Sequence, residues 1–222
     1  MSSSNGTLSG WGRLPGPGRE VVSEDLAAAA AGAALTRGLG RSYGDSSLPP
    51  ADRPVAAGSR LADRLLAFDA ESGLLRAEAG FSLGELNRIF WPRGFSAPVA
   101  TGTQYVTLGG MVAADVHGKN HHVAGTFGTH VRRLKMLLAD GRSVWCSRDG
   151  KHRELFLATL GGMGLTGHIL EVEVALARIP SPWIWSESER IADLDQFITK
   201  LREAAQSWPF TMGWIDCLKR GR

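Results

Sequence analysis

The stretch from Thr101 to Thr129, TGTQYVTLGGMVAADVHGKNHHVAGTFGT, constrains the fold more than any other part of the chain. Glycines at 102, 109, 110, 118, 125 and 128 remove side chains where a backbone approaches something closely or takes a positive φ. Between them sit small residues (Thr103, Thr107, Ala113, Ala114) and one polar knot, His117-Gly118-Lys119-Asn120-His121-His122. So little bulk and so many backbone amides suit a segment wrapped around a large, flat, phosphorylated cofactor. The competing reading is a Gly-rich surface loop. The interleaved Val106, Leu108, Met111, Val112 and Val116 argue against it and predict that much of the run is buried.

A length of 222 residues fits one large domain, or one domain and part of another. Apolar residues at 43% supply a sizeable core, and 28 glycines lean toward a loop-rich α/β or α+β enzyme rather than a bundle. The net charge of +3 is carried without basic runs; only the pairs Arg132-Arg133 and Lys219-Arg220 stand out. Nucleic-acid binding needs a clustered patch and is not expected. A phosphate-bearing ligand, or peripheral contact with an anionic membrane surface, fits the mild basicity. Cys146 and Cys217 lie far apart without metal-ligand spacing, which points to a reducing, cytoplasmic compartment and no disulfide framework. No apolar run approaches the length of a membrane span, and the polar start MSSSNGTLSGWGRLPGPG lacks the regions of a signal peptide.

Residues 1–22 read as an irregular arm. A short Ala-rich helix over Asp25 to Ala31, with Ser23 as its cap, and a strand over Ala33 to Thr36 lead into RGLGRSYGD at 37–45. Leu65 to Asp69 and Leu74 to Ala79 alternate as a strand pair turning at 70–73. Ser82 and Glu85 have capping-box spacing and open a helix to Phe90, closed by Pro92 and Gly94. Val131 to Leu138 and Val144 to Ser147 form a hairpin around Asp140-Gly141. A helix over Glu154 to Thr159 leads into GGMGLTG at 161–167, and His168 to Ala177 alternates as a strand. Pro180-Ser181-Pro182 marks a boundary. Beyond it a strand over Trp183 to Ser186, a helix over Ala192 to Ala205 and a strand over Phe210 to Ile215 are expected.

RGLGRSYGD joins a strand to a loop, where successive main-chain N–H groups can form an anion site and Arg37 and Arg41 can add charge. It is not the Rossmann fingerprint, since the glycine spacing differs and no helix plainly follows. An ordinary Gly-rich turn fits this segment equally well when it is taken alone. His117, His121 and His122 suggest a metal, but Gly118 and Asn120 disfavour the helix that H-x₃-H spacing wants, and no Cys, Asp or Glu nearby completes a set. No metal is expected. Lys119 as a solvated lysine is the ordinary alternative, Tyr43 and the Trp183/Trp185 pair read as packing, and no G-x-S-x-G elbow supports hydrolysis.

Three segments taken together carry more. RGLGRSYGD, then PVATGTQYVTLGGMVAADVHGKNHHVAGTFGTHV, then LFLATLGGMGLTGHI, with Gly10-Trp11-Gly12-Arg13 in front, resemble the vanillyl-alcohol-oxidase-type (PCMH-type) FAD-binding family. HGKNHH with GTFG narrows the resemblance to the family of oxidase subunits of decaprenylphosphoryl-β-D-ribose 2′-epimerases. It thins after about residue 180. The resemblance implies an α+β fold: a two-subdomain FAD-binding unit over 23–180 and the opening of a substrate domain over 181–222, members of the family being longer than this chain. It implies that Arg37, Gly38, Leu39, Gly40, Arg41, Ser42, Tyr43, Gly44, Asp45 and Ser46 cradle the FAD pyrophosphate. Gly102 would lie near the flavin, with Thr107, Leu108, Gly109 and Gly110 along the cofactor. Ala114, Asp115, Val116 and His117 would continue that wall, and Ile169 would pack at the adenine end. His117 and Lys119 would serve catalysis on the substrate side. Ser42-Tyr43 stands where many members carry a histidine that bonds the flavin, so FAD is expected to be non-covalent. The implied activity is oxidation of the C2′ hydroxyl of a polyprenylphosphoryl ribose to a ketone. A separate NAD(P)H-dependent reductase is the implied partner that completes the epimerisation. Another FAD-dependent alditol or lactone oxidase, and a catalytically silent flavin-binding module, are the alternatives.

Overall fold

The computed structural model describes residues 2–3, 6–215 and 217–218; the Lys219-Arg220 pair lies outside them. The architecture is α+β. The first sheet holds β1 (Ser2–Ser3), β2 (Gly6–Ser9), β3 (Pro15–Val22), β4 (Leu35–Arg37) and β5 (Val55–Gly58), in the order β1-β3-β5-β4 with β2 also on β3. The expected irregular arm is therefore largely strand. Pro15 and Pro17 sit opposite β2, and the parallel pairing to β5 begins only at Arg19, past the prolines. Ala56 and Ala57 of β5 are wholly buried, and their small side chains let α1 (Leu26–Ala30) pack close. The α1 cap is Asp25, whose carboxylate accepts from the Ala28 N–H; Ser23, expected in that role, instead accepts from the Asp25 N–H.

Local signals account for the next elements. β6 (Leu65–Asp69) and β7 (Leu74–Glu78) form the expected hairpin, with Gly73 at φ +72°. The Ser82 hydroxyl accepts from the Glu85 N–H and starts α2 (Leu83–Phe90), which buries Leu83, Leu86 and Phe90. The Glu85 carboxylate pairs with Arg88, so only half of a capping box forms. A 3₁₀ turn at Trp91–Arg93 ends at Gly94, and β8 (Phe95–Ser96) follows. Phe68 packs against Phe90 and Phe95, ring centres 4.6 and 5.0 Å apart.

The central stretch holds two helices that the sequence did not announce: α3 (Leu108–Ala113) and α4 (His121–Ala124). Then come β9 (Val131–Leu137), β10 (Ser143–Ser147), α5 (Arg153–Thr159), β11 (His168–Ala175) and β12 (Ala177–Arg178). The second sheet is antiparallel, ordered β10-β9-β11-β7-β6. Leu75, Ala77, Leu134, Met136, Val172 and Val174 bury one face of it. On the other, Glu173 meets Arg133 at 2.8 Å and Glu171 meets Lys135 at 2.8 Å, cross-strand pairs set by the β9–β11 register.

After residue 180 the picture changes. α6 (Leu194–Ser207) forms where a helix was expected, but 183–186 and 210–215 are not strands. None of residues 181–215 is buried. A strand is a pairing as much as a sequence, and neither apolar run meets a partner edge among the described residues.

Candidate functional site

Thr107 closes the turn before α3 by accepting the Gly110 N–H at 3.2 Å. Leu108, Met111 and Val112 are fully buried on one side of α3. The opposite side, with Gly110, Ala113 and Ala114, is small and open. The two glycines do different jobs. Gly109 donates its N–H to Ala79 O at 2.8 Å, and a Cβ there would stand 2.9 Å from Ala79 Cβ. A Cβ on Gly110 would meet only Thr107 Oγ1, at 3.2 Å, and otherwise project outward.

Asp115 ends the helix. It takes φ +39°, with Val116 N–H bonded to Met111 O and its own N–H to Val112 O, the Schellman pattern with aspartate where glycine is usual. Its carboxylate accepts the Gly128 N–H at 2.7 Å, fixing the 3₁₀ turn Phe127–Thr129. Asp115 therefore shapes the wall rather than presenting a free carboxylate.

The polar knot is zipped to residues 98–100. Asn120 is buried; its Oδ1 accepts from Ala100 N–H at 3.0 Å and its Nδ2 donates to Pro98 O at 2.8 Å. Lys119 N–H bonds Ala100 O, and Gly118 lies too close to the Ala100 backbone for any side chain. This brings Gly102 beside Lys119, whose Nζ is 4.0 Å from where a Gly102 Cβ would be. His117 is exposed, its ring edge-on to His121 at 5.8 Å. His122 Nε2 bonds Trp208 O at 2.9 Å. Among the described residues no three His, Cys, Asp or Glu side chains gather as a metal site. Cys146 is buried, and burial pushes its thiol up to about 11, far from thiolate chemistry.

The first Gly-rich loop folds over its own arginine. Arg37 donates to Ser9 O at 2.8 Å and to Ser47 O and Oγ, and burial lowers its pKa. Its guanidinium ties the loop to β2, and Gly40, at φ +68°, leaves room for it. Trp11 N–H bonds Ser42 O, and Gly10 backs onto Gly44, so the arm supports the loop. Leu39 O takes the Arg41 guanidinium, which also lies over the Tyr105 ring; Tyr43, Gly44, Asp45 and Ser46 are exposed.

These pieces converge. A crevice of about 50 Å³ is lined by Thr36, Gly38, Ser59, Ala79, Thr107, Gly109, Gly110, Ala113, Gly164, Gly167 and Ile169. Each of the three Gly-rich segments contributes to it. Gly38 touches Thr107 so closely that a Cβ would stand 2.5 Å from its hydroxyl. Walls this small let a ligand lie close against the backbone. Of the expected residues, the crevice gathers Gly38, Thr107, Gly109, Gly110 and Ile169. Ala114, His117, Lys119 and Gly102 are not among its lining residues, and Leu108 and Val116 pack inward. Sequence reasoning missed Thr36, Ser59, Asn120 and the supporting backbone of Ser9 to Trp11. The Gly10-Trp11-Gly12-Arg13 motif signalled the last of these, and the polar knot already held Asn120.

Relatives agree with the geometry. Decaprenylphosphoryl-beta-D-ribose oxidase of Mycolicibacterium smegmatis is 33% identical over 96% of this chain and 48% of its own length. A putative D-arabinono-1,4-lactone oxidase of Neurospora crassa is 30% identical over 50% of the chain and 19% of its own. D-2-hydroxyglutarate dehydrogenase of Escherichia coli is 34% identical over 37% of the chain and 8% of its own. The chain thus spans about half the length of the mycobacterial protein and less of the others. Residues 20–147, which hold the first two Gly-rich segments, match the model of the FAD binding domain. With three Gly-rich segments lining one crevice and that match over more than half of its residues, the chain belongs to the FAD binding domain family.

Proposed function

We propose that this chain is the FAD-binding part of an oxidoreductase acting on CH–OH groups. Its substrate on this reading is a polyprenylphosphoryl ribose, oxidised at the C2′ hydroxyl to a ketone as half of an epimerisation. The similarity to the mycobacterial oxidase, which runs over nearly the whole chain and includes the polar knot, carries this reading. FAD supplies the acceptor for the hydride of such an oxidation. The chain holds FAD without a covalent bond, since residues 37–46 contain neither histidine nor cysteine. Gly110, where a side chain would project outward, lets the backbone approach the cofactor closely. The exposed imidazole of His117 orients the sugar hydroxyl and takes its proton at a ring nitrogen. The Lys119 ammonium, held at its backbone by Ala100, acts as a point charge for the single phosphate. A separate NAD(P)H-dependent reductase consumes the ketone. The protein works in the cytoplasm, with peripheral contact at the inner face of the membrane; no described helix is long and apolar enough to cross one.

Two measurements test this. Acid precipitation should release all bound flavin into the supernatant; colour left in the pellet rejects the non-covalent reading. Anaerobic addition of polyprenylphosphoryl ribose should bleach the flavin absorbance of the protein. Bleaching by alditols or lactones alone would transfer the chain to that substrate class, and bleaching by none would leave a silent flavin-binding module.

A further inference from the structure

Exposed large apolar side chains concentrate after residue 180, and α6 carries an ordered set of them. Leu194, Ile198 and Leu201 are 61, 40 and 36% exposed. With Ala205 they recur at the alternating four- and three-residue steps of a coiled-coil seam. One flank of the seam is closed, since Phe197 packs on Gly213 of the same segment. The other flank carries Asp195 and Arg202, each directly after a seam leucine.

These two charges find no partner within one copy. They are two turns apart, about 10 Å along the helix, beyond ion-pair reach. Their neighbours one turn away are Ile191, Ala192, Ile198, Thr199, Ala205 and Gln206, none of them charged. Lys200, off the seam, is met by Glu189 at 3.3 Å; among the described residues neither the Asp195 carboxylate nor the Arg202 guanidinium is in an ion pair.

A two-fold axis satisfies both the seam and the charges. Two α6 helices packed antiparallel set Ile198 of one copy against Leu201 of the second copy, and Leu194 against Ala205. Each charged flank then runs along the charged flank of the other copy, with Asp195 across from Arg202 twice over. Parallel packing would face that flank with Phe197 and Ala204, which offer no charge. We propose that α6 is the contact surface of a homodimer, an antiparallel helix pair closed by two Asp195–Arg202 ion pairs. One fourteen-residue helix offers less than the roughly 800 Å² that each partner gives to a standard interface, so the dimer is weak, on the order of micromolar. The contact does not depend on bound FAD.

Sedimentation velocity of the purified full chain from about 1 to 100 μM is the test. The mass should rise with concentration from that of one chain toward that of two. Asp195→Arg and Arg202→Asp each set like charges across the axis, and each should weaken dimerisation roughly tenfold. The double variant exchanges the charges and should recover to within about threefold of the parent. An equimolar mixture of the two single variants should dimerise where neither does alone. Melting temperatures of all variants should match the parent, because α6 buries nothing in the core. A parent chain that stays monomeric throughout overturns the proposal and leaves the stripe to another cover, such as a lipid surface or a further polypeptide. A dimer of unchanged strength in both single variants overturns it as well, by placing the contact elsewhere. So does a double variant as weak as the singles, which would trace the loss to damage within the helix.

Discussion

Two helices of this molecule form for opposite reasons. α3 has six residues and two consecutive glycines, a composition that costs about 1 kcal/mol per glycine relative to alanine. It exists because Leu108, Met111 and Val112 are fully buried, each worth roughly 1.5–3 kcal/mol. Burial outweighs propensity by a clear margin. α6 has fourteen residues, an Asp193 cap that accepts from Gln196 N–H, and an apolar stripe of Leu194, Phe197, Ile198 and Leu201. None of that stripe is buried. Local sequence makes α6; tertiary packing makes α3. The face that lines the crevice belongs to the helix whose sequence argues against it, because walls that small leave no room for long helix-forming side chains there.

The largest effect should come from the residue that anchors the packed region. Asn120→Ala removes two hydrogen bonds and strands Ala100 N–H and Pro98 O in a buried site, a loss of about 2–5 kcal/mol. Chemical denaturation of the flavin-free protein measures it. A loss below about 1 kcal/mol would mean that water reaches this site and the knot is not part of the packed core.

Gly109 and Gly110 sharpen the comparison inside α3 itself. Gly109→Ala forces its Cβ against Ala79 and should destabilise the protein by about 1–3 kcal/mol. Gly110→Ala faces open space apart from the cap hydroxyl and should change stability by less than about 1 kcal/mol. Bulk at 110 should act on the ligand instead: Gly110→Val should lose FAD from a protein that remains folded. Equal stability losses at 109 and 110, with FAD retained in Gly110→Val, would make both glycines packing residues.

The same contrast explains what could be read from the chain alone. The β6–β7 and β9–β10 hairpins, α2 and α6 were legible because their signals are local: a turn dipeptide, a cap, a periodic stripe. Asp140-Gly141 needs no knowledge of the rest of the fold. α3 was not legible, since Gly109-Gly110 argues against a helix unless Ala79 is known to lie beneath it. β2 and β3 hid behind Pro15 and Pro17, which are tolerated only because of where the pairing falls. Trp183 to Ser186 and Phe210 to Ile215 erred the other way, having strand-like composition without a strand to pair with. In the site, the Gly-rich segments announced themselves. Arg37 was expected at the FAD pyrophosphate, and its guanidinium also ties its own loop to Ser9 and Ser47. Asn120 and the Thr36–His168 pair depend on contacts 20 to 132 residues away, which no window of sequence contains.

A pH series separates the packed region from its surface. Burial lowers the His168 pKa from 6.5, so the folded state holds it neutral while an unfolded chain takes up a proton below 6.5. The stability this represents is present above 6.5 and is lost as pH falls from there through the lowered folded value. Asp69, Glu85 and Asp140 have pKa values lowered by hydrogen bonds, and their contribution is lost only at more acidic pH, below their ordinary values of 3.8 to 4.5. His168→Gln should therefore flatten the stability profile as pH falls below 6.5 and leave the more acidic fall intact. A profile unchanged by that substitution would show the imidazole to be freely solvated.

The smallest global effect should come from the longest helix. Asp193→Ala removes the α6 cap, which in a helix costs about 1 kcal/mol of local stability. Because no α6 residue is buried, that loss should not spread. Residues that follow α6 meet the rest of the molecule through short links, Thr211 N–H to Lys119 O and His122 to Trp208 O, and Phe197 of α6 packs on Gly213 of the same segment. Amide exchange in 194–207 should accelerate about fivefold in the variant, the population change that 1 kcal/mol produces. Exchange in α2 and β11 should not change, and the melting temperature should move by less than about 1 °C. A fall of several degrees, with faster exchange in β11, would join α6 to the cooperative core. The division between a helix made by packing and one made by its own sequence would then no longer hold.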